Sequence, residues 1–483
     1  MEQVKNNCGI RANLMPGKFF PLFFAAIFML SCSSEGNKNP AGKAPPHILF
    51  IAIDDMNDWT TLFDEHNPIQ TPNLKRLAEH GTFFTRGYSV VPACTPSRTA
   101  ILTGYSPQTS GSYRNQDFLR DVVPDAVTLP AYFRQHGYVA KGAGKIFTHF
   151  NGARGGDPAG RSFDEFQGMP QIRSPETNYN GYTDEANPLS RPWFDWGEHT
   201  HKLIDIDMAE YVEGVMEQEW EKPMFLAAGI FRPHLPFYAP PETFDRYPIA
   251  EVRTPPPPGG DLNDVPPIGR EMAHTEHFQI EYTMQAEPGS PGSYQKLVQS
   301  YQASADFADQ MVGRLIDKLE ETGRADNTII VLWADHGYHL GDKGSLVKFT
   351  LWEKANLVPF IIVAPGVGVP GTRVDQPVSL LDIYPTLIDL AGLPQKKDLD
   401  GLSLVPLMKN PDMEWDRPAI MTMGKGNHAI RTKRWRYIRY NDGTEELYDH
   451  ENDPWEWTNL AGDPRFEQVI ASHKKWLPDL EGE

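Results

Sequence analysis

Residues 47–54 read His-Ile-Leu-Phe-Ile-Ala-Ile-Asp, an unbroken apolar stretch ended by an acid. A strand with one wet face alternates apolar and polar positions, so a continuous run predicts burial on both faces, as in a parallel sheet. Residues 224–230, 328–335 and 359–365 repeat the pattern, and 328–335 again ends in acid. Between these runs, apolar positions recur at helical spacing. Residues 71–80 open on Thr-Pro-Asn and stop at Gly81, 127–135 stop at Gly137, and 380–390 end before Gly392. Val298, Tyr301, Phe307, Met311, Leu315 and Leu319 make 293–322 one long helix. Strands alternating with helices predict an α/β fold, a mostly parallel sheet flanked by helices. The Pro- and Gly-rich stretch 254–269 and the segment 287–292 read as loops. Past about residue 410 the pattern changes. Residues 428–440 alternate apolar and basic side chains, and Asn441-Asp442-Gly443 signals a hairpin turn, which predicts a small C-terminal antiparallel-sheet subdomain.

The N-terminus carries a different pattern. Arg11 and Lys18 precede an apolar run over residues 19–30, too short for an ordinary membrane span and of signal-peptide length. The run ends in Leu30-Ser31-Cys32-Ser33, which resembles a bacterial lipoprotein cleavage site, with Cys32 as the lipidated first residue. Residues rich in Ser, Gly, Asn, Lys and Pro follow as a flexible tether. The expected organisation is a signal peptide at 1–31, a tether at 32–45, a catalytic domain at 46–410 and the C-terminal subdomain at 411–483. The protein is then exported to a bacterial periplasm or cell surface and touches a membrane only through a lipid at Cys32.

Composition adds two constraints. The 483 residues suffice for a large core, and the formal net charge of −19 argues against nucleic-acid binding, which needs a basic face. It does not exclude a polyanionic substrate, because a basic pocket can sit inside an acidic protein. Of three cysteines, Cys8 leaves with the signal and Cys32 is lipidated, so Cys94 stands alone in an oxidising compartment. A lone thiol there is either buried and inert or put to use.

In open parallel sheets, ligands bind beyond the carboxyl ends of the strands. Asp54-Asp55 follows the first strand and Asp335-His336 the third. Strand ends often carry Asp as a cap or turn residue. Three carboxylates at one edge would also repel one another, and a hard cation, Ca²⁺ or Mg²⁺, resolves that repulsion. His336 is a softer ligand, but no zinc-type His spacing occurs, and Ca²⁺ is preferred. Residues 97–102 read as the first turns of a helix, placing Cys94 just before a helix N-terminus, where N–H groups and the helix dipole favour an anion. Arg98 adds a fork of donors for a tetrahedral oxyanion.

Cys94-Thr95-Pro96-Ser97-Arg98, closed by Thr103-Gly104, resembles the signature of the formylglycine-dependent sulfatases. The resemblance runs from about Pro46 to the C-terminus. It takes in Tyr301-Gln302-Ala303-Ser304 through Asp306 to Asp309, Gly313-Arg314-Leu315, Ala334 to Gly341, and Leu447-Tyr448-Asp449 with Asp453-Pro454 and Asn459-Leu460. Asp54 to Trp59, Arg232-Pro233-His234-Leu235-Pro236-Phe237 and Lys348-Phe349-Thr350-Leu351-Trp352 look closest to the iduronate-2-sulfatase branch and its bacterial relatives.

That resemblance implies an alkaline-phosphatase-like fold and a separate modifying enzyme that converts Cys94 to formylglycine. It implies one Ca²⁺ on Asp54, Asp55, residue 94, Asp335 and His336. The hydrated aldehyde would attack sulfur, and its second hydroxyl would expel sulfate, which an ordinary Ser or Cys has no means to do. Arg98, Lys145 and Lys348 would hold the sulfate oxygens, His234 would protonate the leaving alcohol, and His149 would act as base. The implied substrate is a sulfated carbohydrate, with a 2-O-sulfated uronic acid as the branch's suggestion.

One departure stands out. The branch has Gly-Lys-x-Phe-His, whereas this chain has Gly144-Lys145-Ile146-Phe147-Thr148-His149, so either Thr148 or His149 takes the usual histidine position. The run before Lys145 is no P-loop, because the leading Gly and the following Ser or Thr are absent. Two rivals remain from the sequence: a phosphatase or phosphonate hydrolase of the same superfamily, and an inactive glycan-binding lipoprotein.

Overall fold

The computed structural model describes residues 44–148, 160–170, 172, 174–255, 261–275 and 278–478. The expected signal peptide, Cys8, Cys32, the tether up to residue 43 and His149 lie outside the described residues.

The strand His47–Ile53 lies inside an eight-stranded sheet. The order runs Thr372–Val374, Thr82–Phe84, Phe360–Val363, Thr328–Ala334, His47–Ile53, Met224–Ile230, Val139–Gly144, Glu165–Gln167. All neighbouring pairs are parallel except those made by Phe360–Val363, which runs against both its partners. Three of the four strands with unbroken apolar runs sit side by side in the middle, where a side chain on either face is buried. Each large apolar side chain removed from water there contributes roughly 1.5–3 kcal/mol. Helices Pro72–His80, Ile204–Met216 and Tyr294–Glu321 pack together as one layer, and Cys94–Thr103, Leu129–Gln135 and Ile383–Leu390 as another. Ser293 caps the long helix, its side chain accepting the Lys296 N–H at 3.2 Å.

The register places the chemistry. Ile53 lies opposite both Ala334 and Ile230, so Asp54, Asp335 and Phe231 leave the sheet side by side. Gly144 lies opposite Gly229, so Lys145 joins them. A Cβ on Gly229 would collide with the backbone of Lys145, and one on Gly144, at φ +77°, with the Gly229 carbonyl. Only two glycines let these strands approach closely enough to turn Lys145 inward.

The second sheet is antiparallel, in the order Ala419–Thr422, His428–Arg431, Trp435–Arg439, Glu445–Asp449. It shares a core with the first part of the chain, Met421, Ile438 and Tyr448 packing with Tyr88, Leu351 and Trp352. Residues Ala44–Glu483 form one compact unit.

Several elements differ from the sequence reading. The alternation over 428–440 is two strands, because Thr432 turns the chain: its N–H donates to the Trp435 carbonyl at 2.9 Å and its hydroxyl accepts the Trp435 N–H at 3.2 Å. The segment 254–269 contains a 3₁₀ turn, Asp261–Asp264, and the start of a helix, Pro267–Ala273, whose first turn tolerates proline. The helix expected from 127 begins at Leu129, after an extended Thr128. The strand Val139–Gly144 and the helix Ile204–Met216 add to the predicted set.

Candidate active site

The helix containing the lone cysteine begins at Cys94 itself, with Ala93 as its cap, so the expected start at 97 moves three residues back. The Asn115 side chain supplies what alanine lacks, its Oδ1 accepting the Thr95 N–H at 3.1 Å. Every residue of Cys94–Thr103 is buried. The Ser97 hydroxyl donates to the Asp335 carbonyl at 2.6 Å, tying this helix to the sheet edge.

Around the Cys94 sulfur the expected residues converge. His336 Nε2 lies 3.3 Å away, Lys348 Nζ 3.2 Å, Asp54 Oδ1 3.8 Å and Lys145 Nζ 4.0 Å. The ligating atoms of Asp54, Cys94, Asp335 and His336 fall within 4.8 Å of one another, as do those of Asp54, Asp55, Cys94 and His234. Lys348 reaches Asp55 at 2.6 Å, and Lys145 is bonded to Asp54. His234 Nδ1 meets the Leu235 carbonyl at 2.6 Å, so that nitrogen carries the proton and Nε2 is the acceptor of the neutral ring.

Arg98 is placed differently from the expectation that it faces sulfate. Its Nε donates to Asp335 Oδ2 at 2.9 Å, one terminal nitrogen reaches Asp54 at 3.3 Å, and the other takes the carbonyls of Lys145 and Ile146. Its donors hold the carboxylates and the Lys145 turn. Asp55 sits at φ +62°, a strained position for a non-glycine residue, and is pinned there by the Tyr301 hydroxyl on its carbonyl at 2.7 Å.

A cavity of about 290 Å³ opens onto this cluster. Asp55, Cys94, Lys145, His234 and Lys348 form its polar wall, with Thr148 and Asn115 beside them. Thr148 therefore lines the cavity.

A sulfatase family model matches residues 46–393, and a model described as the N-sulphoglucosamine sulphohydrolase C-terminal region matches residues 341–483.

The chain belongs to the sulfatase family.

It is 36% identical to a sulfatase of Formosa agariphila over 477 residues, covering 96% of this chain and 92% of that one. It is 28% identical to the mouse iduronate 2-sulfatase over 413 residues, covering 76% and 72%. Among solved structures, the phosphonate monoester hydrolase of Agrobacterium radiobacter shares the fold, with a TM-score of 0.69, 23% identity and coverage of 89% and 94%. The alkaline-phosphatase-like architecture expected from the sequence is the one this sulfatase adopts.

The electrostatics of the sulfatase site fit a bound cation. Burial alone would raise Asp54, but the permanent cations beside it, Lys145 first and then Arg98, outweigh it and hold the acid well below the usual carboxylate range. Asp55 stays raised: burial, Asp54 and Asp335 together outweigh Lys348. A divalent cation among the carboxylates would offset that burial and favour the charged form of Asp55. The donor set of carboxylates with one imidazole suits a hard ion better than a thiophilic one. Burial pushes the Cys94 thiol up to about 12, so the encoded cysteine is not a thiolate near neutral pH. Burial, then Lys145, holds His234 well below its ordinary value, leaving it neutral at rest.

Sequence reasoning missed the apolar wall of the cavity. Trp193, Phe194, Phe231 and Leu235 line it, with Tyr338, Val347 and Phe349. Phe231 has Lys145 Nζ and the Arg232 guanidinium each 5.0 Å from its ring. The legible signal was the aromatic cluster Trp193-Phe194-Asp195-Trp196 directly after a proline.

Proposed function

We propose that this enzyme hydrolyses sulfate esters of a polysaccharide, with 2-O-sulfated uronic acid residues as substrate, using a formylglycine made from Cys94 and a Ca²⁺ ion. The convergence of two lysines, a histidine and three carboxylates on the side chain of residue 94 carries this reading. The encoded sulfur marks where the oxygens of the modified side chain would sit. Its hydrated aldehyde offers one hydroxyl for attack and a second for release of sulfate.

Asp54, Asp55, Asp335 and His336 would hold the metal, which when bound lowers the pKa of an oxygen ligand and neutralises developing charge. The chain's own groups do the rest. Lys145 and Lys348 are buried, preorganised donors, so they stabilise transition-state charge without first shedding water. Arg98 fixes Asp54 and Asp335 in place. Burial and the Lys145 charge keep His234 neutral at rest; entry of a sulfate monoanion offsets the second of these, so His234 takes up a proton at Nε2 and gives it to the leaving alcohol. The similarity to the mouse iduronate 2-sulfatase supports the uronic acid. Export and lipid anchoring, which rest on residues 18–33, would place the enzyme where such polymers are met.

The test is the mass of the tryptic peptide of residues 87–98 in protein made with a formylglycine-generating enzyme, read beside sulfate release. Aldehyde in place of CH₂–SH makes the peptide about 18 Da lighter. Sulfate release by protein whose peptide carries only the thiol overturns the mechanism. Turnover of aryl phosphate or phosphonate in preference to aryl sulfate points to the superfamily's phosphorus chemistry, and glycan binding without turnover to an inactive lectin.

A further inference from the structure

We propose that Trp193 forms the platform for the sugar ring that carries the scissile sulfate, an inference that rests on the carbohydrate reading above. Trp193 lines the cavity that holds Cys94, Lys145, Lys348 and His234. Trp193 is 56% exposed, whereas Phe194 and Trp196, which follow it in the chain, are 5% and 1% exposed. A large exposed aromatic just before two buried ones is anchored by them on its C-terminal side while it stays open to water.

The fixing is visible. Trp196–Glu198 pairs in register with Phe237–Ala239, and the Phe237 N–H donates to the Asp195 carbonyl at 2.9 Å. The Asp195 carboxylate accepts the N–H groups of Tyr179 and Asn180 at 3.1 and 2.9 Å and the Tyr238 hydroxyl at 2.6 Å. The paired strand starts three residues after His234, so the platform and the leaving-group histidine belong to one rigid piece. The Arg191 guanidinium stands 5.7 Å from the indole centroid and backs one face. Trp193 nevertheless keeps more than half of its surface exposed, and it lines the cavity.

The direction of the substrate follows from charge. Sulfate must enter toward Lys145 and Lys348, so the ester oxygen points back past His234. The next atoms of the substrate meet the apolar wall that contains Trp193. A pyranose ring presents a face of C–H groups, which packs on an indole at low entropic cost because neither partner has many torsions to freeze. Arg191, stacked on the same ring, adds positive charge that suits an acidic sugar.

The test uses a 2-O-sulfated uronic acid disaccharide as substrate and its desulfated product as inhibitor of 4-nitrophenyl sulfate turnover. For Trp193→Ala we expect KM for the disaccharide and Ki for the product to rise ~10-fold or more, with kcat changed far less. Trp193→Tyr, which keeps a flat aromatic face, should recover both to within about threefold. A wild type that hydrolyses the disaccharide while Trp193→Ala keeps both constants within about twofold overturns the platform and leaves the carbohydrate reading intact. A wild type that cleaves the aryl sulfate but neither cleaves the disaccharide nor is inhibited by its product overturns the uronic acid reading and the platform with it.

Discussion

The Tyr301 hydroxyl donates to the Asp55 carbonyl at 2.7 Å and accepts the Asn57 N–H at 3.1 Å. One phenol from the long helix thus holds both sides of the turn in which Asp55 adopts a left-handed conformation. Removing it leaves a buried carbonyl and a buried N–H without that partner. Tyr301→Phe should cost about 1–3 kcal/mol in denaturant unfolding. It should also raise the metal concentration needed for half-maximal activity, because Asp55 loses its fixed orientation. A variant equal to wild type in both would show that the turn holds itself.

The three carboxylates predict how the protein responds to metal removal. With the cation gone, Asp54, Asp55 and Asp335 face one another across a dry site, and only lysine and arginine partners compensate. Chelation with EDTA should abolish sulfate release and lower the melting temperature. Ca²⁺ at 100 times its Kd should return about 2.7 kcal/mol of stability by mass action. Full activity after exhaustive chelation, with metal content checked by mass spectrometry, would overturn the assignment.

Gly144 and Gly229 carry a steric prediction. Their strands approach so closely that a methyl group on Gly229 meets the backbone of Lys145. Gly229→Ala should destabilise the fold by about 1–3 kcal/mol, as overpacking does. It should also reduce kcat, because Lys145 is displaced from the cavity wall. Restored stability without restored activity, after a second stabilising substitution elsewhere, would separate the two effects.

These sites also show what was legible in the sequence. The central strands could be read because burial on both faces leaves only apolar residues. Val139–Gly144 could not, since contact with Gly229 and Lys145 demands glycine where strand propensity would place a branched residue. Asp54, Asp55, Asp335 and His336 were legible as a cluster because each follows a strand end and lies within a family motif. The Tyr301 role was not, because a hydroxyl acting on a distant turn leaves no local pattern. Trp193 was hidden for the opposite reason: an exposed aromatic in a proline-rich loop resembles any loop residue until the cavity is drawn around it. Arg98 was assigned to the site, but its donors proved to serve the carboxylates, a distinction that sequence spacing does not encode.

Asp309 predicts a pH dependence of stability. Its carboxylate caps the helix Pro72–His80, accepting the N–H groups of Asn73 and Leu74 at 3.1 and 2.8 Å. Burial nevertheless outweighs those bonds and raises the acid to about 6. A raised folded-state value means that the folded protein binds the proton more tightly than the unfolded chain. The stabilisation is therefore complete below the unfolded value near 4 and is lost as pH rises through about 6. Asp309→Asn abolishes the titration while losing part of the cap. The stability advantage of wild type over this variant should shrink between pH 5 and pH 7.5, by about 1.4 kcal/mol. A gap that widens over that interval would reverse the sign.

The join between the two sheets gives the largest expected loss. Glu353 sits between Arg431, at 3.2 Å, and Arg436, and accepts the Tyr88 hydroxyl at 2.8 Å. Arg436 also pairs with Glu456 at 2.7 Å and donates to the Leu351 carbonyl at 2.6 Å. That carbonyl lies three residues from Lys348, so the C-terminal sheet braces the segment that carries this cavity-lining lysine. Arg436→Met removes the shared cation and leaves two carboxylates in a dry interface with less than their full complement. Breaking a buried network from one side costs about 3–5 kcal/mol, whereas replacing all its members with apolar residues can be neutral. Arg436→Met should therefore unfold at markedly lower denaturant, and adding Glu353→Gln should recover part of the loss instead of deepening it. Purely additive losses in that double variant would mean that the two charges do not depend on each other, and that the interface is held by its apolar contacts alone.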